Sequence, residues 1–408
     1  MLDPVTLALA LAGSIIVIGF LGNYFFERTG FPDMIFLIIL GILIGPVAKL
    51  VDTGFIMPLA PYFAALALVF ILFDGGMAMN IHRVFTESPR ATVLAAVGFG
   101  LSVVATTLFT ALLLIPDKPI TYSMLLGTIL GGSSSIIVIS LASRIRVSEK
   151  CSTILSLESA LTDIFCIVFS LTIIEIILGN AVELIAISQA IASKFSVGIV
   201  LGIIFGLLWL SALKKIVKTP YAYILTLAVV LLAYAISETL GGSGALCCLL
   251  FGMILGNEKE IYRMLRMERP SETVIDAGLK RFESEVAFLL RTFFFVYIGL
   301  ISTISDIRVA LLGIILSLIL LLVRFGAVRV ATARCSELVE ERPIMSVILT
   351  RGLAAAVLAT LPLQYSKANP TFGELYEIYI NLAVLVILAT AIIATIGIPI
   401  LKRRTKER

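Results

Sequence analysis

The sequence predicts an all-α polytopic membrane protein with about 13 transmembrane helices. Hydrophobic residues make up 60% of the 408-residue chain and charged residues only 14%, and the mean hydropathy is +1.10. Apolar runs of about 20 residues, long enough to cross a bilayer as a helix, recur along the chain. These runs are continuous rather than alternating between polar and apolar residues, which disfavours a transmembrane β-barrel.

The apolar runs define the spans in order, and short loops connect most of them. The longest connection, 257–281, is charged and contains no apolar run. We therefore expect one transmembrane unit over 1–408, with no appended soluble domain. The predicted spans are 5–24, 33–50, 59–78, 91–115, 121–144, 150–178, 188–213, 220–239, 241–256, 282–303, 306–333, 343–365 and 374–401.

The loops between these spans differ in positive charge. Most of the 31 Lys and Arg residues follow odd-numbered spans or lie in the C-terminal tail, and few follow even-numbered spans. Because positively charged loops stay on the cytoplasmic side, the pattern predicts a multi-pass cell-membrane protein with an outside N-terminus and a cytoplasmic C-terminus. The net charge of +4 then reflects orientation in the lipid bilayer, and no nucleic-acid partner is expected.

Acidic side chains within the spans are few, and their depth differs. Asp74 lies late in span 3, in ILFDGGM. Glu283 and Glu285 open span 10 near its cytoplasmic end, where we expect them to face water. Asp163 lies deep in span 6 and is followed by IFCIVFSLTII. An ionisable residue at that depth is expensive to bury and indicates a functional site.

Span 5 contains a segment that is a poor helix centre. GTILGGSSSII combines three glycines with three serines: Gly127, Gly131, Gly132, Ser133, Ser134 and Ser135. Glycine weakens a helix, and serine hydroxyls compete for its backbone groups. Irregular backbone at membrane depth is tolerated where it lines protein or a cavity, and its carbonyls and hydroxyls suit Na⁺ or K⁺ as ligands. The alternative is a small-residue patch for close helix packing.

Helix geometry sorts the polar residues of span 6. Ser159 and Asp163 are four residues apart and share one face, while Glu158 and Thr162 share a neighbouring face. Glu158 and Asp163 lie roughly 140° apart around the helix axis, so one can pair with an arginine while the other binds an ion. A carboxylate in low-dielectric surroundings can hold a proton or a small cation, but hardly both. That exchange is the minimal chemistry of an antiporter.

Three arginines, Arg291, Arg324 and Arg351, lie within spans. Each costs at least ~2.5–3.5 kcal/mol to place at the centre of a membrane helix, so each requires a partner. The sequence does not assign partners to Arg291 and Arg351. Arg351 stands in TRGLAAAVLATLP, in the middle of span 12. Two interrupted helices in corresponding halves of a chain indicate a transporter binding site.

These motifs together resemble the monovalent cation:proton antiporter superfamily, on its sodium/proton (NhaP/NHE-like) side. LESALTDIF resembles that family's Glu-Ser-x-x-Asn-Asp signature, and ILFDGGM resembles its Phe-Glu/Asp-Gly motif. LLVRF and TRGLAAAV resemble its two arginine motifs, and GGSSSIIV occupies the place of its Thr-Asp-Pro crossover. The resemblance covers essentially the whole chain.

The resemblance implies an NhaA-like antiporter fold with inverted repeats and interrupted crossing helices. The transport bundle would comprise 91–178 and 306–401. Dimerisation and scaffold helices would come from 1–80 and 188–303, and the protein would be a homodimer. The transport bundle would move as an elevator against the dimerisation helices.

The resemblance also implies roles for residues. Asp163 would bind the monovalent cation and the proton, and Ser159 matches the serine one turn before it. Thr162, Ser133 and Ser134 stand where the chain departs from the family pattern, and their hydroxyls would substitute as neutral oxygen ligands.

Three further roles concern charged residues around that site. Glu158 matches a structural glutamate that such proteins pair with the arginine matching Arg324, and the pair would include Arg351, near the crossover. Asp74 matches an acid at the entrance of the ion path.

Two departures from the family pattern bear on the ion that is exchanged. Thr162 stands where electroneutral relatives have Asn and electrogenic relatives a second Asp. The crossover carries serines and lacks the family's aspartate and proline. We expect electroneutral 1:1 exchange of Na⁺ for H⁺ with Asp163 as the shared carrier. K⁺/H⁺ exchange is the alternative, because one direct carboxylate is missing.

Two other classes of protein fit the sequence less well. A cation channel usually needs a filter-like loop, and the sequence contains none that is recognisable. An intramembrane aspartyl protease would use Asp74 and Asp163, but its Gly-x-Gly-Asp context is missing. The sequence has no nucleotide-binding loop or metal-ligand spacing, so we expect neither a cofactor, nor ATP coupling, nor an enzyme.

Overall fold

Helices occupy every predicted span in a computed structural model of the chain. The structure describes residues 4–29, 31–51, 60–82, 88–134, 137–138, 147–179, 184–216, 219, 221–266, 275, 277–303, 307–333 and 335–406. The described residues form no strand. Within these ranges, eight helices are long and apolar enough to cross a membrane, and shorter apolar helices accompany them. The prediction of an all-helical, multi-pass membrane protein is therefore confirmed.

The helices are numbered in chain order. A π-helical turn at Leu43–Val47 extends α2, and a 3₁₀ turn at Ser336–Leu338 precedes α13. The α-helices are α1 (Pro4–Thr29), α2 (Asp33–Ile42), α3 (Ala60–Ala78), α4 (Ser88–Leu113), α5 (Ile120–Ile129), α6 (Glu149–Ile177), α7 (Leu184–Ile216), α8 (Ala222–Thr239), α9 (Gly244–Gly256), α10 (Glu258–Met264), α11 (Ala277–Ile301), α12 (Ile307–Ala331), α13 (Arg342–Val347), α14 (Leu353–Gln364) and α15 (Pro370–Lys406).

Two of the predicted spans are interrupted helices, as expected. In span 5, α5 ends after ten residues and 130–134 are not helical. In span 12, the non-helical residues 348–352 separate α13 from α14. Ten helical residues rise only about 15 Å, half the hydrocarbon thickness of a bilayer, so α5 ends at membrane depth. Ser135 and 139–146, in the second half of span 5, lie outside the described residues.

The chain divides into two compact units. Unit 1 comprises Met1–Ala64, Pro89–Cys166 and Arg291–Arg408. Within it, α15 packs on α12 and α14, and α1 packs on α2. The crossing of α2 and α11 brings backbone against backbone, because a Cβ at Gly41 would overlap the Val296 carbonyl and a Cβ at Gly299 the Ile38 carbonyl. Close crossings at glycine are typical of membrane helices.

Polar contacts in unit 1 also join the start of α6 to the segment before α13. The Ser148 amide and hydroxyl both donate to the Glu341 carboxylate, each at 2.6 Å. Lys150 Nζ donates to Glu337 at 2.7 Å, and this hydrogen bond lowers the pKa of the Glu337 carboxyl. The N-terminal end of α6 therefore lies next to the segment that leads into α13.

Unit 2 comprises Ala65–Ser88 and Ile167–Leu290. Its core gathers aromatic and aliphatic side chains such as Phe73 and Phe251, whose ring centroids lie 5.3 Å apart. A Cβ at Gly252 would overlap the Phe73 carbonyl, so α3 and α9 also meet backbone to backbone. The buried Asn257 amide accepts from Ile81 N at 2.9 Å and donates to Met79 O at 2.7 Å. These contacts bind the end of α9 to the segment that follows α3.

Candidate functional site

The two helix breaks of unit 1 touch each other. The Ser134 amide, after α5, donates to the Thr350 carbonyl, before α14, at 2.7 Å. Gly352 permits this approach, because a Cβ at that position would overlap the Ser134 side chain. Each break leaves backbone groups without their helical partners, and the contact satisfies one donor and one acceptor. The breaks therefore form a crossing with its own hydrogen bond.

Helix α6 supplies the polar face opposite this crossing. Glu158, Ser159, Thr162 and Asp163 are all buried, with Asp163 8% exposed. The Ser159 hydroxyl donates to the Ser156 carbonyl at 3.0 Å, and the Thr162 hydroxyl donates to the Ser159 carbonyl at 3.0 Å. Both hydroxyls thus donate their protons to carbonyls within α6, so the lone pairs of the Ser159 and Thr162 oxygens can act as acceptors.

The first break is anchored directly on α6. The Ser133 amide donates to Thr162 Oγ1 at 3.1 Å, and the Ser133 hydroxyl donates to Glu158 Oε1 at 3.1 Å. A Cβ at Gly132 would lie 2.9 Å from the Thr162 carbonyl oxygen and 2.7 Å from Cys166 Sγ. The break therefore passes against the turn of α6 that contains Asp163, and only glycine leaves enough room at residue 132.

Glu158 and Arg324 form a buried bidentate pair. Arg324 Nη1 donates to Glu158 Oε1 at 2.8 Å and Nη2 donates to Oε2 at 3.0 Å, with side chains 7% and 2% exposed. Arg324 Nε donates to the Met345 carbonyl in α13 at 3.2 Å. Such fork-to-fork pairs are geometrically specific. The pair therefore links α6, α12 and α13, and the charges of Glu158 and Arg324 cancel each other.

Arg351 has different partners from those expected. Its guanidinium donates to the Gly132 carbonyl and, at 3.3 Å, to Ser102 Oγ on α4. Its backbone amide donates to Thr390 Oγ1 on α15 at 3.1 Å. Among the described residues, these groups rather than Glu158 are its hydrogen-bond partners. Arg351 therefore satisfies a carbonyl that the end of α5 left unpaired, and it places a positive charge at the crossing.

Asp74 belongs to unit 2, on α3. Ser284 Oγ on α11 donates to Asp74 Oδ1 at 2.8 Å. The placement of Asp74 at the entrance of an ion path stays a prediction.

The expectation for one of the two acids that open span 10 was wrong. Glu285 is exposed, as expected, and its carboxylate accepts a hydrogen bond from Arg281 Nε at 3.0 Å. Glu283 is only 2% exposed. Residues two apart in a helix point about 200° away from each other, so an acid beside an exposed one can lie on the buried face.

Sequence reasoning also missed the partner of Arg291. Arg291 Nη2 donates to Asp33 Oδ2 at 3.3 Å, with side chains 16% and 9% exposed. Asp33 stands in the first turn of α2, where a carboxylate also favours the positive end of the helix dipole. An acid that immediately precedes the apolar run of span 2 is the signal that could have identified it.

Comparison with known proteins places these features in context. Residues 13–404 match the family model described as sodium/hydrogen exchanger, transmembrane. The K(+)/H(+) antiporter NhaP2 of Shewanella sp. (strain MR-4) is 29% identical over 378 residues, which cover 90% of this chain and 61% of that protein. The protein of the same name from Shewanella oneidensis is 32% identical over 239 residues, 57% of this chain and 41% of that protein. The chain thus spans about three-fifths of the length of the first of these curated relatives.

A solved structure has the same fold. The sodium proton antiporter MjNhaP1 from Methanocaldococcus jannaschii superimposes with a TM-score of 0.80 at 21% identity. The match covers 96% of this chain and 100% of that one.

Proposed function

Because the chain belongs to the sodium/hydrogen exchanger family, we propose that it is a secondary antiporter that exchanges a monovalent cation for a proton. One observation carries the proposal: two broken helices cross beside the turn of α6 that contains the buried Asp163. Half-helices that meet at membrane depth direct backbone carbonyls and dipole ends at a common point, which is the arrangement of a transporter ion site.

Asp163 is the proposed shared carrier. Its carboxylate can bind a cation or a proton, and occupancy by one excludes the other, which makes exchange obligatory. Ser133 and Ser134 at the break, and Ser159 and Thr162 on α6, would contribute neutral oxygens. The Ser133 and Thr162 hydroxyls already hold the break on α6, so their main contribution is to position the crossing.

The charges around Asp163 favour electroneutral exchange. Glu158 and Arg324 compensate each other through two hydrogen bonds, and Arg351 keeps its guanidinium on the Gly132 carbonyl and Ser102. If only Asp163 changes occupancy, the cation-loaded and proton-loaded carriers have the same charge. A potential of 100 mV then does no net work on the cycle, against about 2.3 kcal/mol for each unbalanced charge.

The cation is proposed to be Na⁺, as the sequence predicts, with K⁺ as the second candidate. The description of the family names sodium, whereas the names of the Shewanella relatives favour K⁺. A crossing that offers serine hydroxyls instead of a second carboxylate also has a weaker field, and weaker fields favour the larger, more easily dehydrated ion.

The remaining parts of the proposal concern assembly and orientation. Segments 91–178 and 306–401 would form the moving transport bundle, and 1–80 and 188–303 the scaffold of a homodimer. The N-terminus would be outside and the C-terminus cytoplasmic, as the distribution of basic residues suggests.

The test is dissipation of a pH gradient in proteoliposomes by Na⁺, K⁺ and Li⁺. The wild type should respond to at least one cation, and Asp163→Asn to none, while it elutes as a folded protein on size exclusion. Glu285→Gln, which removes an exposed acid, is the matched control and should retain exchange. Cation-dependent proton flux in Asp163→Asn would contradict the assignment of the carrier.

A further inference from the structure

One side chain of α15 binds the two residues that follow α11. Asn381 is 8% exposed, and its Oδ1 atom accepts from the Thr303 amide at 2.9 Å and from the Ser302 hydroxyl at 3.3 Å. Its Nδ2 atom donates to the Thr303 carbonyl at 3.2 Å and to the Thr303 hydroxyl at 3.3 Å. The amide thus uses two acceptor and two donor positions, which is its full capacity. We call these four hydrogen bonds the Asn381 clasp.

The clasp satisfies polar groups on both helices. A backbone N–H can only donate and a carbonyl can only accept, so the backbone of Thr303 fixes the orientation of the Asn381 amide. Ser302 is 0% exposed, so the chain leaves α11 at a buried position. Buried polar groups are costly unless they are paired. The clasp therefore stabilises the conformation in which the end of α11 lies against α15.

The two helices that the clasp joins are fixed to different neighbours. At the last turn of α11, a Cβ at Gly45 would lie 2.7 Å from the Leu300 carbonyl oxygen, so α11 meets the π-helical extension of α2 backbone to backbone. Helix α15 is bound to the broken helices instead. Tyr379 Oη donates to the Tyr122 carbonyl on α5 at 2.9 Å, and Thr390 Oγ1 accepts from the backbone of the second break at 3.1 Å.

We propose that the Asn381 clasp opens and closes during the transport cycle, and that it is closed in the structure described. This inference rests on the proposed antiport, because an antiporter exposes its site alternately by moving one group of helices against another. The helix breaks would move together with α15, whereas α11 would stay with α2. Hydrogen bonds are lost beyond about 3.5 Å, so even a small displacement opens the clasp.

Asn381 is therefore a positioning residue, which biases the equilibrium between two conformations and binds no ion. All residues of the clasp lie in unit 1, and none of them is among the residues proposed to bind the cation or the proton.

The experiment tethers the two sides of the clasp in the full chain. In Ser302→Cys/Asn381→Cys, a short bifunctional thiol reagent joins the two cysteines, and cation-driven proton exchange is measured in proteoliposomes. Tethering should slow exchange by roughly tenfold or more, and a reductant that cleaves the tether should restore it. The five native cysteines are buried, and wild type treated with the same reagent controls for them.

The matched control is Lys118→Cys/Glu374→Cys. Lys118, just before α5, pairs with Glu374 on α15 at 2.6 Å, so both residues lie in the group of helices that would move together. This tether should leave exchange unchanged. If the tethered Ser302→Cys/Asn381→Cys protein exchanges as fast as the tethered control, the clasp is a permanent cap of α11 and the proposal is overturned.

A second measurement tests opening without relying on transport. The thiol of Ser302→Cys replaces a side chain that is 0% exposed, so a thiol reagent should reach it only when the clasp opens. It should react at least roughly tenfold more slowly than the thiol of Glu374→Cys, at an exposed position, but clearly faster than the native cysteines. A thiol as inert as the native cysteines, or as reactive as that of Glu374→Cys, would contradict the proposal. If no protein, including the wild type, exchanges a cation for a proton, the antiport proposal fails, while the reactivity of Ser302→Cys still tests the clasp.

Discussion

Removal of the Glu158 carboxylate should destabilise the protein, whatever it does to transport. In Glu158→Ala, the Arg324 guanidinium would keep its Met345 carbonyl contact but lose both carboxylate hydrogen bonds. The Ser133 hydroxyl would lose its acceptor as well. The result is a positive charge on a side chain that is 7% exposed, with no carboxylate opposite it.

The expected loss is large because the pair is bidentate and buried. Breaking a buried pair by removing one partner costs about 3–5 kcal/mol. With an unfolding entropy of about 2.1 cal/mol/K per residue, a chain of 408 residues has about 0.86 kcal/mol/K in total. The melting temperature should therefore fall by about 4–6 °C.

The assay is thermal unfolding in detergent, monitored by tryptophan and tyrosine fluorescence or by a thiol-reactive dye. Glu374→Ala is the matched control, since Glu374 pairs with Lys118 at 2.6 Å but is 61% exposed. Exposed pairs contribute about 0–1 kcal/mol, so this variant should melt within about 1 °C of the wild type. The double variant Glu158→Ala/Arg324→Ala should recover part of the loss, because it removes the stranded charge. A Glu158→Ala protein that melts with the wild type would refute the reasoning.

Three further predictions follow from the same structure. Charge measurement on a solid-supported membrane, with transport confirmed by a pH dye, should show no sustained current that depends on potential; such a current would require a second titrating group. Gly352→Ala should lose about 1–3 kcal/mol and impair exchange, because its Cβ would overlap Ser134, whereas Gly100→Ala, with no atom within 4 Å, should unfold no more easily than the wild type. Asp33→Asn should lose about 1.5–3 kcal/mol, measured by thermal unfolding, since it weakens a charged hydrogen bond to Arg291; no loss would show that Arg291 is satisfied without it.

The sequence predicted the spans well because span length and apolar composition are local properties. It also located both helix breaks, since glycine and serine weaken a helix wherever they cluster. It could not show that the Ser134 amide meets the Thr350 carbonyl, because that contact depends on packing between distant segments. For the same reason Arg351 was expected beside Glu158, although its guanidinium lies on the Gly132 carbonyl.

Exposure near a span end was less predictable than depth within a span. Glu283 and Glu285 are the same residue type at nearly the same depth, but Glu283 is buried and Glu285 faces solvent. The difference arises from the rotation of α11, because Glu283 shares the face of Leu279 and Ala287, which are buried four residues before and after it.

The hydrogen bond between Arg351 and the Gly132 carbonyl has a consequence for biosynthesis. The two residues are 219 positions apart. At about 5–20 residues per second, a ribosome needs roughly 10–45 s to make the intervening chain. Throughout that interval the end of α5 is made but its arginine donor is not, and an unsatisfied carbonyl costs several kcal/mol in hydrocarbon. The nascent first half must therefore keep this end hydrated or shielded until the second half arrives, so the proposed ion site is among the last parts of the protein to assemble.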